Sequence, residues 1–254
     1  MSLSSRIAQD RKMSILERKY KPAIFRARAE GFRMAANQME DYGTIDEELI
    51  SSTVENSMYK VLSLLYEESI TSFGTYVSRG LNNGEMYEEK QDTDFYTYLV
   101  SFWIRRRGLN QAKRLSETMT KDLRRIIDAA VKDDLGIAPI AERIRSSTIT
   151  INEFRAFAIA KTEVHNACNF ASIETAKDYQ KTTGLVLLKK WSPALQPDRT
   201  RDDHLAMEKE PAIPLDEKFN VGGEMMDRPG DPSASARNVV NCRCVLLYTD
   251  EEFE

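Results

Sequence analysis

The chain has 254 residues, a formal net charge of −4, 41% hydrophobic side chains and three cysteines. That is enough apolar material for a core, and the length suits one large or two smaller domains. No run reaches the ~18 apolar residues of a membrane span, the opening MSLSSRIAQDRK lacks an export signal's apolar stretch, and the cysteines form no disulfide framework. The expectation is a soluble protein with free thiols in a reducing compartment, and its charge balance argues against a domain built mainly to hold nucleic acid.

The charge is nevertheless arranged in blocks. Lys and Arg lead Asp and Glu by 9 to 3 over residues 1–33, trail by 3 to 13 over 34–95, lead by 8 to 2 over 105–125, and trail by 13 to 18 from 151 onward. Such segregation suits contacts with charged partners, although a charge run is more often a solvated helix face. Candidate contacts to DNA or an acidic partner are Arg26, Arg28 and Arg33 in the first block, with Arg105, Arg106, Arg107, Lys113 and Arg114 in the third.

In chain order, the first half reads as helices. Thr44 and Glu47 have capping-box spacing, and Val54, Met58, Val61, Leu62 and Leu65 then recur on one helical face that should end near Gly74 and Gly80. Asn82-Asn83-Gly84 signals a loop. Phe95, Leu99, Phe102 and Trp103 form an aromatic stripe running into Arg105-Arg106-Arg107-Gly108, where cations in a last turn would complement the helix dipole. Leu115, Met119, Leu123, Ile126, Ile127 and Ala130 make a further amphipathic helix, closed by Gly136 and Pro139. The pattern predicts a bundle or an extended helical arm.

A second capping box, Thr150 with Glu153, predicts a new helix and a domain boundary near residues 146–150, dividing a helical region (1–148) from a C-terminal domain (149–254). Phe157, Ala160, Val164, Ala167, Cys168 and Ala171 would share this helix's apolar face, with Cys168 in the core. Leu185 to Trp191 and Val239 to Tyr248 are β-compatible, and the many prolines and glycines between them exclude long helices. The fold class expected is α+β, with a long helix packed on a short sheet in the second domain.

Both histidines and all three cysteines lie between Lys161 and Cys244. Zinc takes Cys and His ligands, so His165, His204, Cys242 and Cys244 are candidate metal ligands. The Cys-x-Cys spacing argues against that in a regular strand, where alternate Cα atoms lie roughly 6.5 Å apart, and equally against a disulfide between them. The competing reading packs Cys242 and Cys244 inward while Arg243 points away toward a carboxylate such as Asp198 or Glu163. His165 could be satisfied on its own helix by Lys161, Thr162 or Asn169.

Asp198, Arg199, Arg201, Asp202, Asp203 and His204 form the densest polar cluster. An acid and base beside phosphate-binding arginines would suit a metal-assisted hydrolase or nuclease, or a nucleotide-modifying effector, using this loop with Cys242 and Cys244. No phosphate cradle or nucleophile motif accompanies it, so a loop locked by Arg-carboxylate bonds is the preferred expectation, with no catalytic residue and no cofactor. Lys189, Lys190 and Trp191 could stack and pair with nucleic acid, although a Trp at a strand end is more often core.

Five segments carry a family resemblance: Ala160-Lys-Thr-Glu163 with Asn169 six residues on, the Lys190-Trp191 pair, the run Asp198-Arg-Thr-Arg-Asp-Asp-His204, the turn Pro229-Gly-Asp-Pro232, and Asn241-Cys-Arg-Cys244. In this order they resemble the C-terminal domain of the phage Mu F-like minor head proteins, a head-morphogenesis family that includes the portal-associated minor protein of SPP1-like phages. The resemblance spans the last two-fifths of the chain and makes Thr162, Glu163, Asn169, Lys190, Trp191, Asp198, Arg199, Arg201, His204, Asn241, Cys242, Arg243 and Cys244 motif residues. It implies a structural virion protein inside the head near the portal, assembled in the bacterial cytoplasm. Its implied partners are the portal, capsid or scaffolding proteins and non-specific double-stranded DNA, with no membrane.

Overall fold

The computed structural model describes residues 3–82 and 89–250. Asn83 and Gly84 of the proposed loop signal lie outside them. The architecture is α+β, as the patterning predicts. The helices are α1 (Leu3–Tyr42), α2 (Glu47–Leu81), α3 (Glu89–Trp103), α4 (Leu109–Lys132) and α5 (Ile137–Thr183), followed by β1 (Leu188–Ser192). Then come α6 (Asp202–Ala206), β2 (Ile213–Pro214), β3 (Phe219–Val221), β4 (Glu224–Met226), α7 (Ala236–Val239) and β5 (Val245–Thr249).

The chain forms two compact units that do not follow sequence order. One takes residues 18–64 and 102–160; the other takes 1–17, 65–101 and 161–254. Residues 146–150, where the sequence suggests a boundary, lie inside α5. The hydroxyls there bond back to their own helix, Ser146 to the Arg143 carbonyl at 3.2 Å and Thr148 to the Ile144 carbonyl at 3.1 Å, instead of capping a new one. Pro139 sits in the first turn of α5, where its missing N–H costs nothing.

The unit built from residues 18–64 and 102–160 is helical. Phe32, Met39, Ile50 and Val54 pack with Met119, Leu123, Ile126, Ala130, Ile140 and Ile144 in one apolar core. The cap of α2 is Asp46, whose Oδ1 accepts from the Leu49 N–H at 2.9 Å, and not Thr44. The Arg105–Arg107 triplet closes no helix either. It lies in a π-helical turn, Ile104–Gly108, flanked by helical backbone at Trp103 and Leu109, so no C-terminal dipole is present for it to complement.

In the other unit, residues 162–173 of α5 are buried on every face, polar side chains included. Phe157, assigned to the same apolar face by spacing, lies in the helical unit and is 43% exposed instead. The antiparallel sheet has the order β2-β1-β5, with Trp191 opposite Leu246. A hydrogen bond of 2.9 Å between Ser172 and the Tyr248 hydroxyl ties α5 to β5. The hairpin β3-β4 turns at Gly222 and Gly223, both at positive φ. Residues Val239 to Cys244 are not strand: α7 ends at Val239 and β5 begins only at Val245.

Candidate functional site

His204, Cys242 and Cys244 converge. His204 Nδ1 lies 3.4 Å from Cys244 Sγ and 3.6 Å from Cys242 Sγ, and the three ligand atoms all fall within 4.8 Å of one another. The residues are 1%, 3% and 1% exposed. A regular strand would hold the two sulfurs apart, but the segment is a turn in which Asn241 has φ +60, a conformation Asn tolerates. The Cys244 backbone N–H then points at Cys242 Sγ, 3.5 Å away. All three cysteines are free thiols.

Two further groups set the imidazole. Its Nε2 faces Asn238 Oδ1 at 3.4 Å, and Asn238 is held in turn by donating to the Val221 carbonyl at 3.3 Å. Trp191 stands edge-on to the ring at a centroid distance of 5.5 Å and edge-on to Phe219 at 5.5 Å. Hydrogen bonding from Cys244, and then from His204, holds the Cys242 thiol well below its ordinary value against the effect of burial. Cys244 is pushed well above its ordinary value by sharing that bond and by burial, with the Trp191 indole N–H and the Ala194 backbone N–H acting in the opposite sense. The Trp191 N–H closes no hydrogen bond of ordinary geometry.

Several other motif residues bond the segments around this cluster. Thr162 Oγ1 accepts from the Asn241 N–H at 3.1 Å, and Asn169 Nδ2 donates to the Cys244 carbonyl at 3.2 Å and to the His165 carbonyl at 3.1 Å. Glu163 accepts from the Tyr66 hydroxyl at 2.7 Å. Arg201 donates to the Val240 carbonyl at 2.6 Å, closing the 198–204 loop onto the turn before Asn241. In the Pro229–Pro232 turn, Gly230 at φ +74 approaches α5 so closely that a Cβ would sit 2.3 Å from Asn166 Oδ1. Asp231 braces the turn by accepting from the Asp227 and Ser233 N–H groups at 2.8 and 2.9 Å.

Several expectations are corrected. Arg243 turns away from the cysteines as anticipated, but its partner is Glu17 at 2.8 Å, with Asp10 at 3.7 Å, and not Asp198 or Glu163. His165 takes no part in the His-Cys-Cys cluster; its Nε2 faces Glu17 Oε1 at 3.2 Å, off the hydrogen-bond axis. Lys189 and Trp191 are buried, Lys189 donating to Asp227 Oδ1 at 3.0 Å, so neither presents a stacking surface, and Lys190 is half-buried. Asp198 and Arg199 stay exposed in the turn Pro197–Arg199. Arg28 is not a surface contact either: it is fully buried, donating to Asp122 at 2.9 Å and Asn152 at 3.0 Å. Arg26, Arg33, Arg105, Arg106, Lys113 and Arg114 are exposed, and Arg107 is half-buried.

Glu17, Asp10, Tyr66 and Asn238 carried no sequence signal. The first three lie far from the motifs in sequence, and Asn238 sits in a short helical turn outside every motif.

No protein-family model matches the chain, and neither the curated proteins nor the solved structures provide a match.

Proposed function

We propose that this chain is a structural head-morphogenesis protein of a phage, a non-enzymatic internal virion component associated with the portal and with capsid or scaffolding proteins. One observation carries the reading: segments that resemble the Mu F-like domain interlock, with Thr162 accepting from the Asn241 N–H, Asn169 donating to the Cys244 carbonyl, Arg201 donating to the Val240 carbonyl beside Asn241, and His204 facing the sulfurs of Cys242 and Cys244. Residues that share a motif because they hold a fold should interlock in this way. Residues that share it to transform a substrate should meet at an open surface, whereas His204 is 1% exposed and Asp198 stands apart from it in solvent.

The exposed basic residues Arg105, Arg106, Lys113 and Arg114 supply a surface for sequence-independent contact with packaged DNA or an acidic partner. The direct test is to purify heads from a host producing the phage that encodes the chain and to probe them with an antibody against it. The expected result is a few copies per head and a loss of normal heads when the gene is deleted. Absence from heads together with an undiminished head yield after deletion would overturn the proposal.

A further inference from the structure

We infer that His204 Nδ1, Cys242 Sγ and Cys244 Sγ form a structural zinc site. Two sulfurs share one ring nitrogen, at 3.4 and 3.6 Å. A ring nitrogen has either one proton or one lone pair, so it can serve only one of them in a good hydrogen bond. Around zinc the same spacing is natural, because bonds of ~2.3 Å to sulfur and ~2.0–2.1 Å to nitrogen at tetrahedral angles put the two ligand types about 3.5 Å apart.

The surroundings fit as well. A metal-bound imidazole needs its other nitrogen tied to an acceptor, and Nε2 faces Asn238 Oδ1, itself fixed on the Val221 carbonyl. The sulfurs need donors, and the Cys244 N–H aims at Cys242, while the Trp191 ring, whose buried indole N–H closes no hydrogen bond of ordinary geometry, packs against His204. Charge also favours the ion: Zn²⁺ with two thiolates and a neutral imidazole is neutral overall, so the complex can be buried without an unpaired charge. Among the described residues no fourth His, Cys, Asp or Glu joins the group, which leaves the fourth position to a water or a backbone carbonyl. Ligands this deeply buried give a substrate no access, so the ion joins the α6 and Asn241–Cys244 segments and performs no chemistry. The site does not depend on the head-protein reading, since a chain absent from heads could still hold zinc.

The test uses the full chain, stripped of metal by unfolding in chelator and refolded with Zn²⁺ or Co²⁺. The expected results are one zinc per chain by elemental analysis and, with cobalt, the intense visible bands of a tetrahedral ion together with thiolate-to-metal charge transfer. His204→Leu, Cys242→Ser and Cys244→Ser should each lose stoichiometric zinc, Cys168→Ala should keep it, and His204→Cys should retain it by supplying a replacement thiolate. Asn238→Ala should bind zinc roughly 10–100-fold more weakly. The cobalt spectrum of the unmodified chain serves where a variant does not fold. A folded chain with no zinc and no cobalt charge-transfer band would overturn the inference, as would zinc retained by the Cys242→Ser/Cys244→Ser double variant or binding of copper(I) alone.

Discussion

Arg243 and Glu17 stand 226 positions apart in the chain, and their side chains meet at 2.8 Å with Glu17 only 3% exposed. The other Glu17 oxygen faces His165 Nε2 at 3.2 Å, so the first helix is tied to the Cys-Arg-Cys turn and to α5 through one carboxylate.

Burial alone would raise the pKa of Glu17, but the His165 imidazole facing it, followed by the charges of Arg243 and Lys161, outweighs that effect and holds the carboxyl below its ordinary value. A carboxyl depressed in the folded state contributes stability above its unfolded pKa and loses it as pH falls through the lowered one. Glu17→Gln should therefore flatten the acid limb of a stability-pH curve. Glu17→Ala, which leaves Arg243 without its main partner, should cost about 3 kcal/mol at neutral pH by urea unfolding.

Gly230 and Gly184 separate clash from backbone strain. Both have φ +74, but a Cβ at 184 would meet nothing within 4 Å, whereas one at 230 would collide with Asn166. Gly184→Ala should cost roughly 1–2 kcal/mol from the left-handed conformation alone. Gly230→Ala should lower the thermal midpoint clearly further, and equal losses would refute the clash.

Arg28 is a core residue inside a charge run. Its guanidinium neutralises Asp122, which also has Arg155 at 3.2 Å and Arg125 at 3.7 Å. Arg28→Met should destabilise by about 3–5 kcal/mol in denaturant titration. Arg26→Ala and Arg33→Ala, on exposed positions of the same helix, should stay within about 0.5 kcal/mol of the parent.

If the exposed residues Arg105, Arg106, Lys113 and Arg114 meet DNA phosphates, affinity for a random duplex should fall steeply with salt. Replacing all four with Ala should make the slope of log K against log salt shallower by about 0.9 for each phosphate that is no longer neutralised. Arg28→Met, if folded, should leave that slope unchanged, because the side chain never reaches the surface.

Periodicity, capping residues and Pro/Gly punctuation were enough to read the α+β class, the helices over the first half and the two principal strands, because these patterns follow from backbone geometry within a few residues. Local chemistry was less dependable where hydroxyls had a choice. Thr150 resembled a cap, yet the serine and threonine just before it bond back to their own helix, which runs on unbroken.

The sequence by itself determined that the chain's thiols and imidazoles are confined to one stretch and that the protein is built on long helices. Only the tertiary structure decided that Asn241 turns the backbone left-handed so that Cys242 and Cys244 share one imidazole nitrogen. It alone selected Glu17 for Arg243 and enclosed Arg28. Each of these depends on which distant segments pack together, and free energy of that kind comes from burial and charge pairing that no local pattern encodes.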